Sequence, residues 1–384
     1  MRKEWILAAA TVLVTMAAAL ALLRWLAPQL LGVPLDLQLV QASKTVPPFF
    51  ENVFREQDLV SDNMLLQDPY TNIRFRPLLP ADATSGPHDI LGFRNKAVPN
   101  HAAIIVFGDS QTYGIGEPFA ANWPNQLAAL PGQEETPVYN MAIGGWGAVQ
   151  YLDMFSKAAV RLHPRIAIIA FYSGNDSLES FITAYGNPNW ETFRLDPTLD
   201  GSDAPKIGNL LSVEDAWPVR FSDGTHMVFT PTGRLAANDN GNPAVRAGYA
   251  IMAEVARRIG ALALQHEIAA IFTIIPTREL VYAEKVAQEG LAAPEDYRRL
   301  IRMERENIEE LAGNIRTIPG SRYIDLVHPL QTTALSDSPL YPRQWDGHPG
   351  KAGYAVIART LAAGLEQVEP ALPLKSAANS MPRQ

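Results

Sequence analysis

The sequence predicts an α/β protein, a three-layer α/β/α sandwich on a mostly parallel five-stranded sheet, preceded by an N-terminal transmembrane helix. Three observations carry this expectation. Ala102–Phe107 (AAIIVF), Ile166–Phe171 (IAIIAF) and Ala269–Ile275 (AAIFTII) are apolar runs of strand length. They lack the alternation of a half-exposed strand, as expected for strands buried on both faces of a parallel sheet. Helical stretches lie between them, around Trp123–Leu130, Val149–Arg161, Val245–His266, Pro294–Ile315 and Gly350–Leu365. Such alternation predicts helices on both faces and right-handed crossovers. Finally, Trp5 to Leu23 carries no charge.

Taken in order, the chain opens with Arg2, Lys3 and Glu4 before that uncharged run. Nineteen helical residues span roughly 28 Å, close to the hydrocarbon thickness of about 30 Å. Arg24 and Trp25 follow where an interfacial anchor belongs. A cleaved signal peptide has a shorter apolar region, about 7–15 residues, ending in a small-x-small site. Ala17-Ala18-Ala19 offers such a site, but Leu20 to Leu23 continue the run past it. Residues 1–26 therefore read as a cytoplasmic stub and uncleaved signal anchor. Arg2, Lys3 and the terminal amine outweigh Arg24, which places the N-terminus in the cytoplasm and the body outside it. The expectation is a single-pass inner-membrane protein with an extracytoplasmic, periplasmic domain.

Residues 27–97 contain Pro47-Pro48, Pro77, Pro80 and Pro87 and read as a stalk and N-terminal arm without a core of its own. Residues 98–370 form the α/β domain, with Pro137–Ala142 and Tyr323–Leu326 as shorter, weaker strands. An insertion at about 185–243, rich in Gly, Pro, Asn and Asp, interrupts it. Within that insertion Val219–Phe221 and His226–Phe229 flank Ser222-Asp223-Gly224-Thr225, a hairpin signature. An insertion so long should be partly ordered, and a small cap near the active site is expected. Residues 371–384 read as a disordered tail.

The bulk composition narrows the function. The chain has 384 residues, 47% of them hydrophobic and 19% charged, so a large core is available. A net charge of −8 argues against nucleic acid or an anionic membrane surface as the main partner. The absence of cysteine excludes disulfides, thiolate chemistry and zinc–sulfur sites. No cofactor and no metal is called for.

Three short motifs carry the chemistry. Gly108-Asp109-Ser110 and Gly174-Asn175-Asp176 each follow a strong strand, and Asp346-Gly347-His348-Pro349 precedes the last helix. In a doubly wound sheet ligands bind at the C-terminal strand ends, where these loops converge. Ser110 can open a helix whose backbone N–H groups stabilise an oxyanion. Its setting, Gly-Asp-Ser-Gln-Thr, is not the Gly-x-Ser-x-Gly elbow of α/β-hydrolases. Asn140 to Gly147 (Asn-Met-Ala-Ile-Gly-Gly-Trp-Gly) suggests close backbone approach to a ligand, with Trp146 as a shaped wall. Asn175 can donate to an oxyanion without bringing charge, whereas Asp176 reads as structural. A general base needs a group to fix its other ring nitrogen. His348 has Asp346 two residues earlier for that purpose. His88, His101, His163, His226, His266 and His328 lack such a setting and read as surface or packing residues.

With these motifs the chain resembles the SGNH hydrolases, or GDSL esterases, a superfamily with a flavodoxin-like fold. The resemblance spans about Ala102 to Leu365, interrupted by the insertion. It implies a serine esterase with Ser110 as nucleophile, His348 as base and Asp346 as acid. It also implies an oxyanion hole from Ser110, Gly145 and Asn175. Gly145 is chosen over Gly144 because it lies five residues after Asn140, as in the family's Asn-x-x-x-x-Gly pattern. In one position the chain departs from the family. The usual acid lies three residues before the His, where this chain has Trp345, and Asp346 is one position closer. Members acting on envelope glycans show similar Asp-x-His endings.

The reading is an extracytoplasmic esterase that removes acyl groups, foremost acetyl, from a cell-envelope glycan or lipid. Two alternatives stand beside it. One is an O-acyltransferase acting on an envelope polysaccharide through the same residues. The other is a non-catalytic scaffold or glycan-binding protein. A metallophosphoesterase is disfavoured, because Asp176 follows Asn175 where that class needs His, and the first motif holds Ser in place of His. No P-loop pattern is present.

Overall fold

A computed structural model describes residues 64–131, 136–205, 216–336, 339–342 and 347–368. The uncharged run Trp5 to Leu23, Asp346 and the tail 371–384 lie outside the described residues. Among those described, no helix is long and apolar enough to cross a membrane.

The described chain begins with a hairpin of β1 (Leu65–Asp68) and β2 (Asn72–Phe75), paired antiparallel. The central sheet is built from β3 (Ile104–Gly108), β4 (Val138–Asn140), β5 (Ile166–Tyr172), β8 (Ala269–Ile275) and β9 (Ser321–Ile324). Its order is β4-β3-β5-β8-β9, with every neighbouring pair parallel. The three strong apolar runs are thus the three inner strands. The weak run at Tyr323–Leu326 ends early, because the Asp325 carboxylate accepts the Val327 and His328 N–H groups at 3.1 and 3.2 Å. That turns the chain into the helix Val327–Ala334.

The two sheet faces bury separate clusters, as the alternation of strand side chains requires. Ile105, Phe107, Ile169, Phe171, Phe272 and Ile274 face one layer. Ile104, Val106, Ile166, Ile168, Ile271 and Ile275 face the other. Before the first crossover helix comes a short turn of helix, α1 (Ser110–Tyr113), and then α2 (Trp123–Ala128) and α3 (Ala148–Met154). Next come α4 (Asp176–Gly186), α5 (Pro231–Ala236) and α6 (Pro243–Gln265). Short helices α7 (Arg278–Val281) and α8 (Ala283–Gln288) precede α9 (Glu295–Arg316), α10 (Val327–Ala334) and α11 (Lys351–Val368). Helices α3, α6 and α9 cover the first face, and α2, α10 and α11 the second. Asn242 starts α6 by accepting the Ala244 N–H at 2.8 Å, with Pro243 in the first turn.

The arm contributes to this core. Phe75, Ile90, Leu91 and Phe93 are buried in the first cluster, and Asp68 forms the β1–β2 turn by accepting the Tyr70 and Thr71 N–H groups, each at 2.8 Å. The first part of the insertion clasps that turn. Asn187 Nδ2 and Asn189 Nδ2 each donate to the Pro69 carbonyl at 2.9 Å. The second part forms the hairpin of β6 (Trp217–Arg220) and β7 (His226–Phe229). Its Phe221 stacks on Tyr282, with ring centroids 5.6 Å apart. Lys285 pairs with Asp223 at its tip. From β7 the chain runs directly into α5.

Candidate active site

The three motif loops meet at the C-terminal edge of the sheet. Ser110 opens α1 immediately beyond β3, with Asp109 as the cap, its carboxylate accepting the Gln111 N–H at 2.8 Å. Beyond β5, Asn175 holds the N-cap position of α4. His348 lies in the short segment before α11. Ser110 Oγ and His348 Nε2 are 2.9 Å apart, although 238 residues separate them in sequence. Ser110 Oγ is also 3.2 Å from Asp109 Oδ2. One hydroxyl proton serves one acceptor at a time, and donation to His348 is the geometry that activates the oxygen.

The residues expected to form an oxyanion hole lie around Ser110. Gly144 and Gly145 are the central residues of a turn closed by the Trp146 N–H donating to the Ile143 carbonyl at 3.2 Å. Gly145 has φ +81°, as the third position of a type II turn requires. A Cβ on Gly144 would sit 3.4 Å from Ser110 Cβ, which places this turn against the serine. Among the described residues, neither the Ser110 nor the Gly145 N–H is taken up by another backbone group. Asn175 behaves unusually for a cap residue. Its side chain makes no capping bond, and its Oδ1 has no partner among the described residues. An N-cap Asn ordinarily turns back onto its own helix, so this carboxamide is left for something else.

Exposure separates the site from its support. Ser110, Gly144, Gly145, Asn175 and His348 are half-exposed, while Asp109, Gln111, Trp146, Gly174, Asp176 and Gly347 are buried. Trp146, expected as a wall of the site, is 1% exposed, and its Nε1 donates to the Ile73 carbonyl at 2.8 Å. It pins the glycine turn from behind and does not face a ligand. Asp176 is structural, as expected, accepting the Tyr172 N–H and the Tyr151 hydroxyl, each at 3.0 Å. Burial pushes its carboxyl well above the usual range, and the neighbouring Asp109 adds to this. Burial also raises Asp109, while the Gln111 N–H, His348, the Ser110 hydroxyl and Arg234 pull it back down. Asp346 lies outside the described residues. Of the histidines set aside, His88 packs as expected, its Nε2 2.6 Å from the buried Tyr113 hydroxyl.

Two supporting residues carried no sequence signal. Arg234 reaches the site from α5. Glu304, on α9, ties the β5 and β8 loops together: its carboxylate accepts from Ser173 Oγ at 2.5 Å, Thr277 N–H at 2.8 Å and Thr277 Oγ1 at 2.6 Å. Burial, the dominant cause, lifts this carboxyl from the usual 4.5 to about 7 against those hydrogen bonds. A raised acid favours the folded state while protonated, so its contribution is lost as pH rises from about 4.5 through about 7. Glu304→Gln stays neutral and can keep all three contacts, with Thr277 Oγ1 reoriented to accept. Its melting temperature should therefore match the unsubstituted protein at pH 5 and exceed it at pH 8 by about 3 °C or more. Equal melting temperatures at pH 8 would contradict the buried-carboxylate account.

Residues 106–356 match the model of the GDSL-like lipase/acylhydrolase family. No curated protein matches the chain. Among solved structures, a catalytic mutant of an acetylxylan esterase from Geobacillus stearothermophilus is similar at 12% identity and a TM-score of 0.38, covering 68% of this chain and 94% of that one. A psychrotrophic esterase from Pseudoalteromonas sp. is similar at 10% identity and a TM-score of 0.37, covering 70% and 98%.

Proposed function

The chain belongs to the GDSL-like lipase/acylhydrolase family and is an ester-hydrolysing enzyme, and from that premise we propose that it removes short acyl groups, foremost acetyl, from a cell-envelope glycan or lipid. The observation that carries the proposal is the 2.9 Å pairing of Ser110 Oγ with His348 Nε2, beside the Ser110 and Gly145 N–H groups, which no other backbone group takes up among the described residues, and the Asn175 carboxamide, which makes no capping bond. The pairing supplies a nucleophile and its base, and the donors receive the charge that develops on the substrate.

In the proposed mechanism His348 Nε2 takes the Ser110 proton as Oγ attacks the ester carbonyl carbon. The carbonyl π pair moves to oxygen, and the Ser110 N–H, Gly145 N–H and Asn175 carboxamide hold that oxyanion. Collapse expels the alcohol oxygen, which takes the proton back from the imidazolium, leaving an acyl ester on Ser110. Water then attacks, His348 accepts its proton, and the acid departs as Ser110 regains a hydrogen. Asp346 is assigned as the acid that orients His348, on the support of its place two residues earlier. The uncharged run Trp5 to Leu23 supports a single inner-membrane anchor with the enzyme on the periplasmic side.

The test uses the full chain in detergent. Hydrolysis of p-nitrophenyl acetate faster than butyrate, with acetate released from an acetylated envelope glycan, is the expected result. Acetate that leaves the donor only when a sugar acceptor is present would move the assignment to acyl transfer. No turnover above the Ser110→Ala background under either condition would contradict both.

A further inference from the structure

Arg234 lies on α5, inside the insertion, and is 5% exposed. It packs against the His348 loop and, through Tyr172, against the Asn175 loop, and its charge acts on the Asp109 carboxyl beside Ser110. Its Nη2 lies 2.7 Å from where a Cβ on Gly347 would sit, so the guanidinium packs directly against the residue before His348. Gly347 itself has φ +79°, a left-handed conformation that side chains rarely adopt. The backbone turn thus favours glycine at this position, and a side chain there would displace the guanidinium. Arg234 Cζ also stands 5.6 Å over the Tyr172 ring, within cation–π reach. That ring packs against Gly174, whose Cβ position is 2.3 Å from Tyr172 Cζ, immediately before Asn175. On the third side Arg234 acts electrostatically on Asp109, the residue before Ser110.

We infer that Arg234 is a positioning residue that holds the turn carrying His348 in register with the loops carrying Ser110 and Asn175. The insertion is then part of the active site, because α5 delivers a rigid, permanently charged fork into the junction of three loops. Arginine suits this place because its planar group can stack on a ring with one face and meet backbone with its edge. A buried guanidinium needs negative charge nearby, and the Glu279 and Asp109 carboxyls act on Arg234 in that sense.

The inference rests on the esterase reading, and one set of assays separates the two. Arg234→Met preserves the stem over Tyr172 and removes the fork. Its kcat for p-nitrophenyl acetate should fall about 10²-fold with KM changed less than about threefold, as expected for a displacement of order 1 Å. Arg234→Lys, which restores the charge but not the fork, should recover about tenfold of that loss. A Met variant with kcat within about threefold of the unsubstituted enzyme would overturn the inference, and so would a Lys variant no better than Met. If Arg234→Met shows no cooperative melting, Arg234→Lys decides alone. A tenfold kcat loss at unchanged KM and melting temperature supports the role, and unchanged kcat overturns it. Absence of turnover above Ser110→Ala in the unsubstituted enzyme would instead remove the esterase reading, and this inference with it.

Discussion

Ser110→Ala should lower kcat for p-nitrophenyl acetate by about 10⁴-fold or more, His348→Ala by a similar factor, and the double variant no further. The reason is geometric. Nucleophile and base share one proton across 2.9 Å, so removing either abolishes the same step. What survives is binding together with the oxyanion donors, which do not depend on that proton. Additive losses in the double variant would mean that Ser110 and His348 act in separate steps. A fully active His348→Ala would mean that the proton goes elsewhere, with Asp109 Oδ2 at 3.2 Å as the nearest alternative acceptor.

Asn175→Ala should lower kcat by about 10²–10³-fold while leaving KM nearly unchanged, the signature of a donor used mainly in the transition state. Stability should stay close to that of the unsubstituted protein. The carboxamide makes no capping bond, and its Oδ1 has no partner among the described residues, so nothing folded depends on it. Unchanged kcat would take Asn175 out of the oxyanion hole. A large fall in melting temperature would show that it serves α4 after all.

The inner sheet was legible because burial on both faces forces continuous apolar runs, and Ala102–Phe107, Ile166–Phe171 and Ala269–Ile275 are such runs. Ser110, Asn175 and His348 were legible because each follows a strand or precedes a helix at the sheet edge where ligands bind. Helix α4 was hidden because its buried side mixes apolar and polar residues. Ser180 Oγ accepts the Ala148 N–H, Thr183 Oγ1 accepts from Gln150, and Ser177 donates to the Ala237 carbonyl. Those hydroxyls erase the apolar period that marks a helix in sequence. The β1–β2 hairpin was hidden by its length, four residues a strand, within a Pro-rich stretch. Trp146 reads equally as a ligand wall and as a packed turn in sequence, because glycines flank an aromatic in both, and only the bond to Ile73 distinguishes them. Arg234 had no local signal at all, since its role arises from contacts with Tyr172 and Gly347, each far away in the chain.

The account stands on Ser110 being a nucleophile that His348 activates. The most direct measurement is intact-protein and peptide mass spectrometry after brief exposure of the full chain to a p-nitrophenyl alkylphosphonate. The account predicts one phosphonyl group per chain, located on the peptide containing Ser110, absent in Ser110→Ala and formed far more slowly in His348→Ala. An unlabelled chain, or a label on another residue at a rate indifferent to His348, would contradict it.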